Sequence, residues 1–349
     1  MLVYQIDSYR HWQRHFGRDD FSHGQFGENL TVDGPPDDEV CIGDRYRIGE
    51  AEFEVTQPRV TCYRVGLRLG EPELRRAAGQ PPPAWLLHAG HFRGTHPVRP
   101  AWAGFRPLRL TKVVPETATV SSFCLTATDG SPLPAALAAQ YLTLRITGVG
   151  QPAPVRSYSL SSAPDAGTYR ISVKQEPHGT ASSYLNRNLR PGAVVDVAAP
   201  RGDFILGDGT GPVLLVSAGI GVTPVLSMLH QLAARHSERD IWWRHGARGP
   251  REHPFAAEVD ALLASLPHAR EYLFYSAATP PERHRAHAAP GRLSKDKLAG
   301  LGLPASASAY ICGPASFMAD MQVALTAIGV DPARIRTELL APCACGSPI

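Results

Sequence analysis

The sequence has few of the features that would place it in a membrane, on nucleic acid or outside the cell. None of its apolar stretches approaches the roughly 20 residues that a membrane-spanning helix needs. Residues 1–16 carry charge within the first few positions and lack the apolar core and small-residue cleavage site of a signal peptide. The formal net charge of +3 is too small to indicate nucleic acid or a membrane surface as a partner. We therefore expect a cytoplasmic protein with neither kind of partner.

Cysteine is scarce, with 6 residues, and its spacing excludes several kinds of site. The cysteines follow no disulfide framework, which favours a reducing compartment. Cys343 and Cys345 stand close together, but two thiols are too few for a closed zinc or iron–sulfur site. The C-x4-C-x2-C…C set of a plant-type [2Fe–2S] domain is absent. We expect no [2Fe–2S] cluster in this chain.

The 349 residues divide into blocks in which apolar residues recur with different spacings, and this length and division favour two or three domains. Residues 70–104 are rich in proline and glycine and show neither a helical nor a strand period, so we expect a linker or irregular segment there. Residues 106–206 hold short alternating runs between turns, as in a small antiparallel barrel. Residues 207–340 alternate apolar strands with helical stretches, as in a parallel α/β sheet.

Residues 156–162 (RSYSLSS) read as a strand whose two faces differ in chemistry. Arg156 is suited to bind a phosphate through two hydrogen bonds. Tyr158 lies on the same face and can pack against a flat ring, while the hydroxyl and amide of Ser159 would reach a ring nitrogen. An ordinary barrel strand with exposed serine and arginine would show the same pattern.

A second phosphate site is predicted at residues 174–186 (KQEPHGTASSYLN), where Gly179 precedes a helix expected over residues 183–189. The free N–H groups at a helix N-terminus attract phosphate, and Ser182 would cap this helix. A simple N-cap without a ligand is the alternative. The position of Arg156 one hairpin upstream favours the phosphate site.

A third motif, residues 217–224 (SAGIGVTP), follows the apolar strand at 213–216. Gly219 and Gly221 permit a tight turn and the close approach of a ligand, and Thr223 would cap a helix whose first residue is Pro224. A strand, a glycine turn and a helix N-terminus together make a pyrophosphate cradle. The pattern is G-x-G-x-x-P, and no acidic residue ends the next strand, so it departs twice from the usual dinucleotide fingerprint.

These motifs, with A-P-x-G-x-F at residues 199–204 and C-G-P at residues 312–314, resemble in type and order those of the ferredoxin–NADP reductase superfamily, nearest to its flavohaemoglobin and oxygenase-reductase branches. The resemblance covers residues 103–340. It implies a hydride transfer from nicotinamide to flavin, with Ser159 and Cys312 in catalysis. Relatives place an aromatic flavin shield after a glutamate, whereas here Glu338 is followed by two leucines.

The same resemblance implies which residues hold the cofactors. It favours FAD over FMN, because residues 179–186 are most similar to FAD-binding members. It implies NADH or NADPH as the donor, with a preference for NADH because the HGAR sequence ending at Arg248 is similar to NADH-using branches. The implied cofactor-binding residues are Arg156, Tyr158, Ser159, Gly179, Ala181, Ser182, Gly219, Ile220, Gly221, Thr223, Pro224, Cys312, Gly313 and Pro314.

The N-terminal region resembles the MOSC (molybdenum cofactor sulfurase C-terminal) domain, in the bacterial group that reduces N-hydroxylated compounds. The residues that carry this resemblance are 26–30 (FGENL), 42–44 (IGD) and 57–62 (QPRVTC). It implies that Cys62 is the molybdenum-site thiolate, a soft ligand of a suitable type. Without the family, a partly buried cysteine in a strand loop would be the preferred interpretation.

The sequence thus predicts a multidomain chain: a partial MOSC β-structure at 1–70, a linker at 71–102, an antiparallel FAD-binding β-barrel at 103–206, a parallel α/β NAD(P)-binding lobe at 207–340 and a tail at 341–349. It resembles a shortened member of a MOSC–reductase–ferredoxin fusion family. We expect an NAD(P)H-dependent flavin oxidoreductase whose acceptor is the molybdenum site or an external iron–sulfur protein. The alternatives are a flavin diaphorase with a non-functional MOSC remnant and a non-enzymatic redox-sensing or binding module.

Overall fold

The structure is a computed structural model of the 349-residue chain. It describes residues 3–26, 28, 30–34, 45–48, 51–59, 84–89, 101–102, 104–150, 153–164, 167–277, 288–294, 297–298, 302–338 and 340. The chain divides into two compact units, Met1–Gly104 and Phe105–Ile349, and each is described by itself.

The first unit begins with strand β1 (Val3–Gln5), which leads directly into helix α1 (Ile6–Phe16). The helix ends at Gly17, whose φ of 64° lies in the left-handed region that glycine tolerates. Strand β2 (Leu30–Val32) pairs in parallel with β1. The helix packs its apolar face into a small aromatic core made of Tyr4, Tyr9, Trp12, Phe21 and Phe26.

An antiparallel sheet of three strands completes the described part of this unit. Its strands are β3 (Arg45–Ile48), β4 (Ala51–Arg59) and β5 (Ala84–Ala89), in the order β3–β4–β5. Strand β5 lies in the segment 71–102, for which the sequence predicted irregular structure, and at these six residues that prediction is wrong. The prolines at 81–83 precede the strand and do not interrupt it, so its backbone is free to pair with β4.

The second unit starts with a six-stranded antiparallel, barrel-type sheet, here called the antiparallel lobe. Its order is β10–β7–β6–β11–β8–β9, and helix α2 (Thr180–Asn188) connects β10 to β11. The strands are β6 (Phe105–Pro115), β7 (Val120–Ala127), β8 (Tyr141–Arg145), β9 (Val155–Ser159), β10 (Tyr169–Lys174) and β11 (Val194–Ala198). This sheet confirms the fold predicted for the region.

A six-stranded parallel sheet follows, here called the parallel lobe, with the order β15–β14–β13–β12–β16–β17. Its strands are β12 (Val213–Ala218), β13 (Ile241–Ala247), β14 (Ala269–Tyr275), β15 (Ala288–Pro290), β16 (Ser308–Cys312) and β17 (Ile335–Glu338). The helices beside it are α3 (Val222–Ala234), α4 (Ala256–Ala264) and α5 (Ala315–Ala327). The predicted parallel α/β fold is confirmed.

Alternating residues of β12 show how the parallel sheet is covered. Val213 and Leu215 belong to one buried core, shared with α3 and α4. Leu214 and Val216 belong to a second core on the opposite face, shared with α5. Such two-sided burial explains the continuous apolar run of this strand. Among the described residues, no helix has the length and apolar character needed to cross a bilayer.

Candidate active site

Strand β9 presents the residues predicted to contact a planar ring and its phosphate. Arg156 and Tyr158 lie on one face of the strand, both half-buried, opposite Leu144 and Leu142 of β8. Ser159 is almost fully buried, with 4% of its surface exposed. The strand therefore offers a cation and an aromatic ring on one face and a hydroxyl group at its end, as the sequence predicted.

Helix α2 begins three residues earlier than predicted, and its N-terminus differs in detail from the prediction. The N-cap is Gly179, and none of the described side chains caps the helix. Ser182 lies inside the first turn, where its hydroxyl donates to the carbonyl of Gly179 and accepts from the N–H of Glu176, so its predicted capping role is wrong. Without a side-chain cap, the first N–H groups, including that of Ala181, are suited to bind an anion.

The glycine turn after β12 forms a 3₁₀ turn, Gly219–Gly221, before α3. Gly219 has a φ of 55°, and a Cβ atom placed there would meet nothing within 4 Å, so this face of the turn is open. Thr223 does not cap the helix: it lies in the first turn and its hydroxyl donates to the carbonyl of Ile220. That predicted capping role is wrong because the 3₁₀ turn moves the helix start to Val222, one residue before Thr223.

The C-G-P motif follows β16 and touches the glycine turn directly. A Cβ atom on Gly221 would lie 2.7 Å from the backbone nitrogen of Gly313 and closer still to the carbonyl group of Cys312. Cys312 is completely buried, and burial, followed by the nearby charge of Glu338, raises the pKa of its thiol. Pro314 is the N-cap residue of α5. The two motifs therefore form a single edge at the carboxyl ends of β12 and β16.

Glu338 links this edge to the antiparallel lobe. It ends β17, where it pairs in register with Cys312, and its Oε2 atom accepts a hydrogen bond of 3.3 Å from Ser159 Oγ. Burial, with a smaller contribution from the charge of Asp203, raises the pKa of the Glu338 carboxyl to about 8, although the Ser159 hydrogen bond acts in the opposite direction. Glu338 therefore holds a proton at neutral pH, between the two predicted catalytic residues.

Sequence reasoning did not assign Glu338 a role, although a usable signal was present. In a parallel sheet the carboxyl ends of neighbouring strands meet at one edge. A carboxylate that ends the last strand is therefore expected near the C-G-P turn that ends the preceding one. The pairing of β17 with β16, on which this expectation depends, is not evident from the sequence alone.

Sequence reasoning also missed a chain of polar residues at the same edge. Ser217 Oγ lies 2.9 Å from His245 Nδ1, and His253 Nδ1 lies 2.9 Å from the hydroxyl of Tyr275. The two histidine rings stack with their centroids 4.8 Å apart. Burial, then the neighbouring His253, lowers the pKa of His245 well below its ordinary value, so its ring is neutral. These contacts fix the side chain of Ser217, the first residue of the glycine motif.

The site residues are suited to the two cofactors that the sequence predicted. Two uncapped helix N-termini and the Arg156 guanidinium can receive phosphates. The open face at Gly219 gives a ligand access to the backbone of the turn. Ser159, Glu338 and Cys312 meet where the two lobes touch. The arrangement thus brings residues suited to bind phosphates next to a buried polar group where the two lobes meet.

The predicted molybdenum ligand, Cys62, lies outside the described residues. Within the described part of the first unit, the FGENL motif contributes Glu28 to a buried network. Its carboxylate accepts hydrogen bonds from the hydroxyl groups of Tyr9 and Thr31 and from the N–H of Gly24. Burial and the neighbouring Glu28 raise the pKa of Tyr9. In the parts of the chain that the structure describes, no three His, Cys, Asp or Glu side chains are grouped to hold a metal ion.

Comparisons with known proteins agree with this architecture. Three family models match: the MOSC domain at residues 1–96, the oxidoreductase FAD-binding domain at 108–205 and the oxidoreductase NAD-binding domain at 215–323. A flavohemoprotein from Deinococcus radiodurans is 39% identical over 251 residues, which cover 71% of this chain and 62% of the relative. The chain thus spans less than two thirds of that relative's length.

Solved structures extend the comparison. The flavohem-like FAD/NAD binding domain of nitric oxide dioxygenase from Vibrio cholerae is 33% identical, covers 68% of this chain and 99% of its own, and superposes with a TM-score of 0.63. A ferredoxin NADP⁺ reductase from Neisseria gonorrhoeae, 20% identical, covers 69% of this chain and all of its own with a TM-score of 0.57, which shows the shared fold.

These matches define a class of protein in which an FAD-binding sheet and an NAD-binding sheet form one reductase. The chain belongs to the ferredoxin–NADP reductase-type FAD/NAD-binding oxidoreductases, and in it this reductase is fused to a MOSC domain. Its two reductase lobes match the FAD-binding and NAD-binding domain models of oxidoreductases.

Proposed function

We propose that the protein passes electrons from a nicotinamide through FAD to a molybdenum-cofactor site in its MOSC domain or to an external iron–sulfur protein, and that the terminal reaction reduces N-hydroxylated compounds. The observation that carries the first half is the hydrogen bond from Ser159 to Glu338, which joins the predicted flavin strand to the predicted nicotinamide edge beside Cys312. The MOSC match at residues 1–96 supports the molybdenum acceptor.

We assign the FAD contacts to the antiparallel lobe. Arg156 and the N-terminus of α2, with Gly179, Ala181 and Ser182, would hold the phosphates. Tyr158 would pack against the flavin ring, and the Ser159 hydroxyl would face it. Ser159 already donates to Glu338, so its orientation is set before a ligand arrives. Such preorganisation lowers the entropy that binding must overcome.

We assign the dinucleotide contacts to the parallel lobe. The turn Gly219–Gly221 and the first residues of α3, Thr223 and Pro224, would hold the pyrophosphate, and Cys312, Gly313 and Pro314 would lie against the nicotinamide. When bound, the two cofactors supply hydride transfer and the release of electrons one at a time. The residues around them orient the rings and exclude water.

Glu338 is the proton-holding group of the site. Its carboxyl remains protonated at neutral pH because burial raises its pKa to about 8. Ser159 Oγ donates to Oε2, and the Cys312 thiol is kept protonated by its own burial. The protein thus keeps the side chains of Glu338 and Cys312 uncharged and holds a transferable proton at the carboxyl group of Glu338.

We propose NADH as the preferred donor. Arg248 is exposed and follows β13 at the carboxyl edge of the parallel sheet, so it would reach a 2′-phosphate of NADPH. The HGAR sequence that ends at Arg248, however, is similar to the branches that use NADH. Steady-state reduction of ferricyanide with each donor measures this preference. A higher kcat/KM with NADPH would contradict it.

The acceptor is tested by the composition of the purified protein. Metal analysis and pterin fluorescence are measured on the same sample as the flavin content, followed by reduction of an N-hydroxylated compound by NADH. The proposal expects flavin and molybdenum together and a turnover that disappears when molybdenum is omitted from the growth medium. Flavin without molybdenum would rule out the MOSC site as acceptor and leave a diaphorase.

Substitution of Arg156 is expected to weaken FAD binding. A charge-assisted phosphate contact contributes about 1.5–3 kcal/mol, so Arg156→Ala should raise the Kd of FAD by about 10- to 100-fold. FAD release is measured by fluorescence after gel filtration. The matched control is Arg145→Ala on β8, which removes an exposed arginine paired with Asp196 at 3.8 Å. Equal FAD retention by the two variants would show that Arg156 does not contribute to FAD binding.

A further inference from the structure

A half-buried ion pair joins the two lobes at residues that lie outside the sequence motifs. Arg170 lies on β10 of the antiparallel lobe and Glu258 on α4 of the parallel lobe. The Arg170 guanidinium donates two hydrogen bonds to the Glu258 carboxylate, Nη1 to Oε2 at 3.0 Å and Nη2 to Oε1 at 2.7 Å. The side chains are 17% and 28% exposed, respectively. This two-point geometry fixes the orientation of the pair as well as its distance.

The pair is anchored on the antiparallel lobe by the segment that follows the flavin strand. Arg170 Nε donates to Ser161 Oγ at 3.1 Å, and its Nη2 donates to the carbonyl of Ser161. The Ser161 hydroxyl lies 2.8 Å from that of Ser172, which in turn lies 2.8 Å from that of Ser122. Ser172 and Ser122 are both buried, so Ser161 is held by Arg170 on one side and by these two serines on the other.

On the parallel lobe the pair is anchored by the helix that follows the glycine turn. His230 of α3 lies with Nε2 2.6 Å from Glu258 Oε1. One turn earlier on the same helix, Ser227 Oγ donates to the carbonyl of Ser162 at 2.8 Å. The segment at residues 161–162 is therefore connected to α3 both directly and through Glu258.

The Glu258 carboxylate is ionised at neutral pH. Burial alone would raise the pKa of Glu258, but the hydrogen bonds and charges of His230 and Arg170 outweigh it and lower the pKa to about 2. Arg170 also lies over the ring of Phe255, with 5.3 Å between the guanidinium carbon and the ring centroid. The contact between the lobes therefore includes an ionised Glu258 held by a two-point hydrogen bond from Arg170.

We propose that Arg170, Glu258 and His230 form a positioning bridge for hydride transfer. The bridge fixes α3, which begins at the dinucleotide turn, against residues 161–162, which follow the flavin strand. It thereby sets the distance and orientation between the nicotinamide and flavin sites. Hydride transfer depends steeply on that geometry, and a displacement of about 1 Å can slow a reaction by about 100-fold. The inference rests on the placement of the two cofactors given under the proposed function.

The bridge is tested by anaerobic stopped-flow reduction of the bound flavin by NADH. Glu258→Gln keeps the side-chain volume and removes the charge, whereas Arg170→Lys keeps the charge and removes the two-point geometry. We expect Glu258→Gln to lower the limiting rate of flavin reduction by about 10- to 100-fold, and Arg170→Lys to lower it by a smaller factor. The Kd of NADH and the FAD content should change by less than about threefold. NADH deuterated at C4 should show a larger isotope effect in both variants.

The control is Asp208→Asn, which removes an exposed ion pair of similar length, 3.1 Å to Arg235, within the parallel lobe. It should leave the limiting rate unchanged. If Glu258→Gln does not fold, Arg170→Lys decides the question alone. A limiting rate within twofold of the unmodified protein in the folded variants would overturn the bridge. Failure of NADH to reduce the unmodified protein would instead contradict the cofactor placement, so the two failures are distinguishable.

Discussion

Gly221→Ala is expected to remove NADH-dependent flavin reduction almost completely. The backbone of Gly221 has a φ of −59°, so alanine is excluded by lack of space and not by conformation. The added Cβ would lie 2.7 Å from Gly313 N and closer still to the carbonyl of Cys312. These are backbone atoms, which cannot rotate away. The turn and the C-G-P segment must therefore separate, and both are assigned to the nicotinamide nucleotide.

We expect Gly221→Ala to lower both the stability of the parallel lobe and the rate of flavin reduction by large amounts. Overpacking at a rigid backbone contact should destabilise the parallel lobe by about 3 kcal/mol or more. The displaced turn should slow flavin reduction by about 100-fold at temperatures below the thermal transition. Thermal unfolding and anaerobic stopped-flow measure the two. Gly209→Ala is the control, because a Cβ atom there meets nothing within 4 Å. Equal behaviour of the two variants would show that the turn and Cys312 are not in contact.

Glu338→Gln is expected to remove a pH dependence of stability. The carboxyl has an ordinary pKa of 4.5 and a folded-state pKa of about 8. Below pH 4.5 it is protonated in both states. Between these values the unfolded state has lost the proton that the folded state keeps, so stability falls as pH rises and is lowest above pH 8. The fall amounts to several kcal/mol, with about 5 kcal/mol as an upper limit.

Urea unfolding at pH 5 and pH 9 measures this dependence. The difference between the two pH values should be larger in the unmodified protein than in Glu338→Gln, because glutamine does not titrate. Asp203→Asn should move the transition to lower pH, since the Asp203 charge raises the pKa of Glu338, and Ser159→Ala should move it to higher pH. An identical pH dependence in the unmodified protein and Glu338→Gln would contradict the buried, protonated carboxyl.

Much of the fold could be predicted from the sequence because its signals are local. Burial on one face of a strand produces the alternating runs of β8, β9 and β10. Burial on both faces produces the apolar runs of β12 and β16. The glycine turn and the C-G-P turn are local for the same reason. The assignment of individual site residues to the two cofactors remains a prediction.

What the sequence did not show depends on partners distant in the chain. The capping roles predicted for Ser182 and Thr223 were wrong because each helix starts earlier than its pattern indicated, and each hydroxyl found a nearby carbonyl instead. Glu338 meets Ser159, 179 residues earlier, and Arg170 meets Glu258, 88 residues later. A short motif cannot reveal such pairs, because they arise from the packing of one lobe against the other.

We propose that the two lobes form one site for hydride transfer from a nicotinamide to a flavin. Anaerobic mixing of the purified protein with NADH, followed at the absorbance of oxidised flavin, tests it most directly. We expect this absorbance to be bleached within one turnover, and more slowly when the C4 hydrogen of NADH is replaced by deuterium. An unchanged absorbance with both NADH and NADPH would contradict it.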